Sequence, residues 1–172
     1  MASDQIGISG SGRDAEERFL KLTGAERAPE AALGDAVVDG NFVEIKRATS
    51  TTLNQVRALK FIVLIAYYCP DGDDPYWYVV PAHQVVALVA RKPRGQHTEN
   101  PFESATLSIR DLAAYRLDDE VQLREQVAAA VRESAQYADL QAEMDRVLSE
   151  SRLLASESRE RVSALLRRHG LA

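Results

Sequence analysis

The sequence predicts a mixed α/β fold, an α+β arrangement around a mixed sheet, followed by a helical appendage. Three observations predict it. Helical apolar spacing at Ala15, Phe19 and Leu22 gives way to short β-rich runs punctuated by Gly and Pro between Gly34 and Ile109. The apolar run 61–68 has the length of a buried strand. After Asp118 proline disappears, and Ala, Glu and Arg dominate.

The first dozen residues are rich in Gly and Ser and are expected to be mobile, giving a flexible segment 1–13. The spacing then predicts a helix over 14–23, with Gly24 where a C-terminal stop belongs. Residues 25–33, broken by Pro29, are expected to be irregular. Residues 34–48 predict a hairpin. Ala36-Val37-Val38 is a short apolar run, Asp39-Gly40-Asn41 is a strong turn signal, and Phe42 to Lys46 alternates. A polar loop at 49–52 leads to a short helix expected over 53–60. Strands follow at 61–68 and 76–80, separated by an acidic turn. Pro81 is expected as the first residue of a helix over 82–90. Residues 91–102 form a long loop, 104–109 a strand, and a helical turn reaches Tyr115. From 118 to 172 the spacing of Val127 and Val131, of Leu140, Met144 and Val147, and of Leu154, Val162 and Leu165 predicts two or three helices. The domains are therefore a core at 14–117 and an appendage at 118–172.

Composition narrows the function. Length suffices for one domain and a modest addition. The single cysteine, Cys69, allows neither an intrachain disulfide nor a multi-cysteine zinc site. His83, His97 and His169 are too scattered for a histidine cage. A net charge of −5 argues against a nonspecific DNA-coating protein but not against a local basic cleft. No apolar run is long enough for a membrane span, and the N-terminus does not read as a signal peptide, so a cytoplasmic protein without membrane association is expected. Arginines number 17 and lysines 4, so each lysine position is informative: lysine can be tuned for proton transfer near neutrality, whereas arginine cannot.

The hairpin carries the chemistry. Asp35 begins one strand, and Glu44 and Lys46 point to one face of its partner, because side-chain direction repeats every two residues. Three polar side chains then converge at one edge. An Asp and a Glu there can hold one or two Mg²⁺ ions, which favour oxygen ligands. A neighbouring lysine can position or deprotonate the attacking water in phosphodiester cleavage. Asp39 competes as a carboxylate, but its place in the turn gives it a conformational job.

The segment from Gly34 to Lys46 resembles the PD-(D/E)xK nuclease superfamily, which includes many type II restriction endonucleases, junction resolvases and repair nucleases. Gly34 stands where the motif's proline would be. The resemblance covers about residues 14–68. It implies a restriction-endonuclease-like α-β-β-α-β core with Asp35 and Glu44 as metal ligands and Lys46 as the catalytic lysine. It also implies a further catalytic and metal-binding glutamate from the N-terminal helix, Glu16 or alternatively Glu17, and a polar helix after the lysine strand that would carry Gln55.

DNA contacts are expected from two donor-rich stretches. One holds Gln55 and Arg57; the other is the 91–100 loop with Arg94, Gln96, His97 and Asn100. Arg, Gln and Asn can read base edges, and Lys and Arg can hold phosphates. The expectation is thus a Mg²⁺-dependent endonuclease of double-stranded DNA, sequence-specific and homodimeric, since twofold symmetry supplies a site for each strand of a palindrome. The alternatives are a structure-specific or repair nuclease, and a non-catalytic interaction module of nuclease-like fold.

Overall fold

The computed structural model describes residues 12–30, 33–71, 74–98, 100–150 and 152. Most of the expected mobile segment 1–13, and the spacing of Leu154, Val162 and Leu165, lie outside these. The chain divides into two compact units, Met1–Gln136 and Tyr137–Ala172. No helix among the described residues is long and apolar enough to cross a membrane.

The first unit opens with α1 (Gly12–Thr23), which takes in Gly12 and Arg13 and buries Ala15, Phe19 and Thr23. The Thr23 hydroxyl donates to the Phe19 carbonyl, 2.8 Å away, and Gly24, at φ 70°, ends the helix. Strand β1 (Glu26–Arg27) lies within the stretch expected to be irregular. It pairs with β2 (Ala36–Val38), so partner strand rather than local sequence decides its conformation. The hairpin of β2 and β3 (Asn41–Ala48) has the expected turn. Val38 faces Asn41, and Asp39 and Gly40 both have positive φ, as a two-residue type I′ turn requires.

The expected helix over 53–60 is instead strand β4 (Thr52–Val56), antiparallel to β7 (Ala105–Ser108) in a separate two-stranded sheet. Its register shifts between Leu53 and Val56, where Gln55 takes a left-handed conformation at φ 55°. The bulge places Leu53 and Val56 three residues apart on one buried face, a spacing that imitates a helix. The order after α1 is therefore strand upon strand, without the helix expected between the lysine strand and the next.

Strands β5 (Val63–Tyr68) and β6 (Tyr76–Pro81) complete the main sheet, in the order β1-β2-β3-β5-β6. β3 and β5 are parallel; the other pairs are antiparallel. The run expected at 61–68 is thus a strand flanked on both sides. Pro81, expected to begin a helix, is the last residue of β6 and the N-cap of α2 (Ala82–Val89). A 3₁₀ helix, Ile109–Tyr115, supplies the expected helical turn, and α3 (Leu123–Ala135) follows a second 3₁₀ helix, Glu120–Gln122.

The main sheet buries both faces. On one, Val43, Ile45, Val63, Ile65, Trp77 and Val79 pack with Phe19 of α1 and with Leu123, Val127, Ala130 and Val131 of α3. Trp77 also lies against Tyr67, with ring centroids 4.3 Å apart. On the other face, Ala48, Leu64, Ala66, Tyr78 and Val80 pack against β4, β7 and α2. Helix α3, expected in the appendage, lies in the first unit, and its apolar stripe packs in that unit's core. The buried Ser134 hydroxyl accepts the Ala82 N–H at 3.0 Å and ties α3 to the start of α2. In the second unit, residues 138–150 are helical, with Arg146 paired to Glu150 at 3.0 Å.

Candidate active site

The β2–β3 ladder stops at the Ala36–Val43 pair. Asp35, one residue before it, still donates its N–H to the Val43 carbonyl at 2.9 Å. The next β3 donor is the Ile45 N–H, and the Asp35 side chain takes it, with Oδ2 accepting at 2.7 Å. The carboxylate thus stands in for a strand where the two backbones part. Gly34 explains itself here. A Cβ at this position would lie 2.9 Å from the Val43 carbonyl oxygen and 3.2 Å from the Phe42 Cβ, so the chain passes too close to β3 for a side chain.

Glu44 and Lys46 alternate with the buried Val43 and Ile45. Their register partners are Leu64 and Ala66, which places them on the face of the sheet that also carries β4, β7 and α2. Lys46 Nζ is 2.6 Å from Glu44 Oε1, and both side chains are largely covered. Glu16 follows the buried Ala15 on α1 and pairs with Arg27 of β1 at 2.6 Å. Glu17, the alternative, is exposed and pairs with Arg13 at 3.1 Å. Asp39 sits at the hairpin tip, where its carbonyl accepts from the Asn41 amide, at the opposite end of the ladder from Asp35.

Electrostatics ties the four residues together. Burial pushes the Asp35 carboxyl above its ordinary range; the Ile45 N–H pulls it back, Glu44 and Glu16 push it up, and Lys46 lowers it. Glu16, Glu44 and Lys46 therefore each act on the Asp35 carboxylate at the end of the ladder. The carboxylates suit a hard divalent cation, which would relieve the repulsion at Asp35. They do not stand as a ready-made cage: among the described residues no three Asp, Glu, His or Cys side chains converge as metal ligands. Glu44 and Glu16 are instead turned to Lys46 and Arg27.

The expected DNA contacts divide. Gln55 lies on β4, not on a helix, and is exposed beside the exposed Arg57. Gln96 and Asn100 brace the long loop. Gln96 Oε1 accepts the Gln55 N–H at 2.7 Å, and Asn100 Oδ1 accepts the Phe102 N–H at 2.9 Å. Arg94 and His97 are exposed and line a cavity together with Lys92. Arg27 is the site residue that sequence reasoning missed; its signal was a two-residue strand too short to stand out. Compared with known proteins, the chain matches no family model and no curated protein.

Proposed function

We propose that this protein is a Mg²⁺-dependent endonuclease of double-stranded DNA, of the sequence-specific restriction type, acting as a homodimer. The observation that carries the reading is the half-buried Asp35 carboxylate where β2 and β3 part, on which Glu16, Glu44 and Lys46 all act. Asp35, Glu44 and Glu16 are the residues that would hold Mg²⁺, which when bound supplies positive charge at the phosphodiester oxygens. Burial and two neighbouring carboxylates make the ionised Asp35 electrostatically costly, and a cation offsets that cost. Lys46 holds its ammonium beside Glu44 on a rigid strand, where it can hold a water against the scissile phosphate. The element order departs from the superfamily pattern at β4, so the support lies in the hairpin and α1, not in the whole core.

The test is cleavage of plasmid and phage DNA with Mg²⁺ by the wild type, Asp35→Ala and Lys46→Ala. Discrete fragments from the wild type, at least about a hundredfold fewer from either variant, are expected. Cutting that survives both substitutions would place the chemistry elsewhere. A panel of duplex, flap and four-way-junction DNA separates the restriction reading from a structure-specific one.

One observation favours a second reading. Glu44 and Glu16 are each paired with a cationic side chain 2.6 Å away, and the Glu16–Arg27 pair ties α1 to β1 without metal. A non-catalytic interaction module would use it so. Calorimetry with Mg²⁺ decides, since that module would give no binding heat.

A further inference from the structure

An open cavity of about 660 Å³ lies beside the long loop, away from the four residues above. That volume is within the range of about 300–1,000 Å³ typical of ligand sites. Its described lining is unlike that of an apolar ligand site. Lys92, Arg94 and His97 bring basic groups and Gln96 a side-chain amide, while the Thr98 and Thr106 hydroxyls donate to the Asn100 carbonyl and to Asn54 Oδ1; no carboxylate is among the described lining residues. An anion with several acceptor oxygens finds the Arg94 guanidinium, the His97 ring and the Gln96 side-chain amide along one loop.

The wall is firmly built. A Cβ on Gly95 would meet the Asn100 carbonyl oxygen at 2.6 Å and the Ser104 carbonyl oxygen at 2.8 Å, so the loop closes tightly on itself. Gln96 is anchored at both ends, its N–H to the Ser104 carbonyl and its side chain to the Gln55 N–H. Both Gln55 and His97 take left-handed conformations. Such backbone costs of order 1 kcal/mol or more for residues with a Cβ and persists only where the surroundings impose it. Lys92 is braced by Asp111 at 3.2 Å, which leaves the exposed Arg94 as the principal cation.

The cavity belongs to the side of the main sheet that carries Glu44 and Lys46, because Thr106 sits on β7, which packs on that face. We infer that this cavity is a second phosphate-binding subsite, which grips the nucleic-acid backbone at a distance from the scissile bond. The phosphate chemistry follows from the lining; the identity of the ligand as DNA rests on the nuclease reading above.

The test is binding, not cleavage. A short labelled duplex is titrated with the full chain in EDTA, from about 50 to about 200 mM NaCl, by fluorescence anisotropy. Wild type is compared with Arg94→Ala, Arg94→Lys and Arg94→Ala/His97→Ala, and in parallel each is titrated with a nucleoside 3′,5′-bisphosphate. Arg94→Ala is expected to weaken duplex binding about tenfold and to lower the salt slope by about one; Arg94→Lys restores most of both. Unchanged affinity and slope in the double variant would overturn the subsite, whatever cleavage shows. If duplex does not bind but the bisphosphate does, and Arg94→Ala abolishes it, the phosphate site stands for a free nucleotide and the nuclease reading falls. If neither ligand binds the wild type, the subsite is overturned.

Discussion

Replacing Asp35 separates what its carboxylate does for the fold from what it would do for the proposed cation. In Asp35→Ala the Ile45 N–H loses its acceptor, and Ile45 is only 6% exposed, so water is a poor substitute. A buried donor left without a partner costs about 1–3 kcal/mol. At about 2–4 °C per kcal/mol for a chain of this size, a loss of about 2 kcal/mol lowers the melting temperature by about 4–8 °C. Asp35→Asn keeps an acceptor oxygen but not the charge. The weaker hydrogen bond is offset by removing the repulsion from Glu44 and Glu16, so stability should stay within about 1 kcal/mol of wild type. The pH dependence has a definite sign. A carboxyl raised in the folded state contributes stability below the ordinary aspartate value of 3.8 and loses it as pH rises through its own titration. The wild type should therefore lose ground to Asp35→Asn as pH climbs from the acid side. With Mg²⁺ at ten times its Kd, linkage adds about 1.4 kcal/mol, or about 3–6 °C, to the wild type and nothing to Asp35→Asn. Thermal melts followed by circular dichroism read all of these. Equal melting of Ala, Asn and wild type would refute the role at the end of the ladder. A Mg²⁺ shift retained by Asp35→Asn would refute the role toward the cation.

Gly34→Ala should cost about 1–3 kcal/mol, because its Cβ would press on the Val43 carbonyl and move Asp35; denaturant unfolding measures the loss. Asp111→Ala should cost about 1 kcal/mol at neutral pH by removing the acceptor of the Ser108 N–H in the capping box that opens the 3₁₀ helix. Burial works to raise the Asp111 carboxyl, but the Ser108 N–H and the Lys92 ammonium outweigh it and leave it below the ordinary value. That contribution, present above 3.8, should therefore fade as pH falls through the depressed titration, and melts of wild type and variant should converge in acid. A chain ending at Gln136 should melt cooperatively, while one ending at Leu117 should not. The latter lacks Leu123, Val127, Ala130 and Val131, whose burial at about 1–3 kcal/mol for each larger side chain rivals a marginal total of about 5–15 kcal/mol.

The hairpin was legible because its signals are local. Asp39-Gly40 demands left-handed backbone, and the alternation from Phe42 to Lys46 allows one register only, so Glu44 and Lys46 could be put on a shared face before any tertiary contact was known. Strand β4 was illegible for the opposite reason. Its partner β7 lies some fifty residues on, and the bulge at Gln55 breaks the two-residue period that would have marked a strand. Helix α3 announced a buried stripe but not what would bury it. Gln96 and Asn100 show a related limit: residue types suited to reading bases are equally suited to bracing a loop, and here their side-chain oxygens accept backbone N–H groups.

The placement of α3 has a consequence in time. A chain paused on the ribosome before Leu123 already contains every residue of the candidate site, yet the sheet that must hold them lacks its cover over Phe19 and Trp77. The parallel β3–β5 pairing is also non-local and slow to form. That cover can pack on the sheet only after synthesis has passed Val131. Until then the nascent polypeptide carries the residues of the candidate site without the cover that α3 gives their sheet.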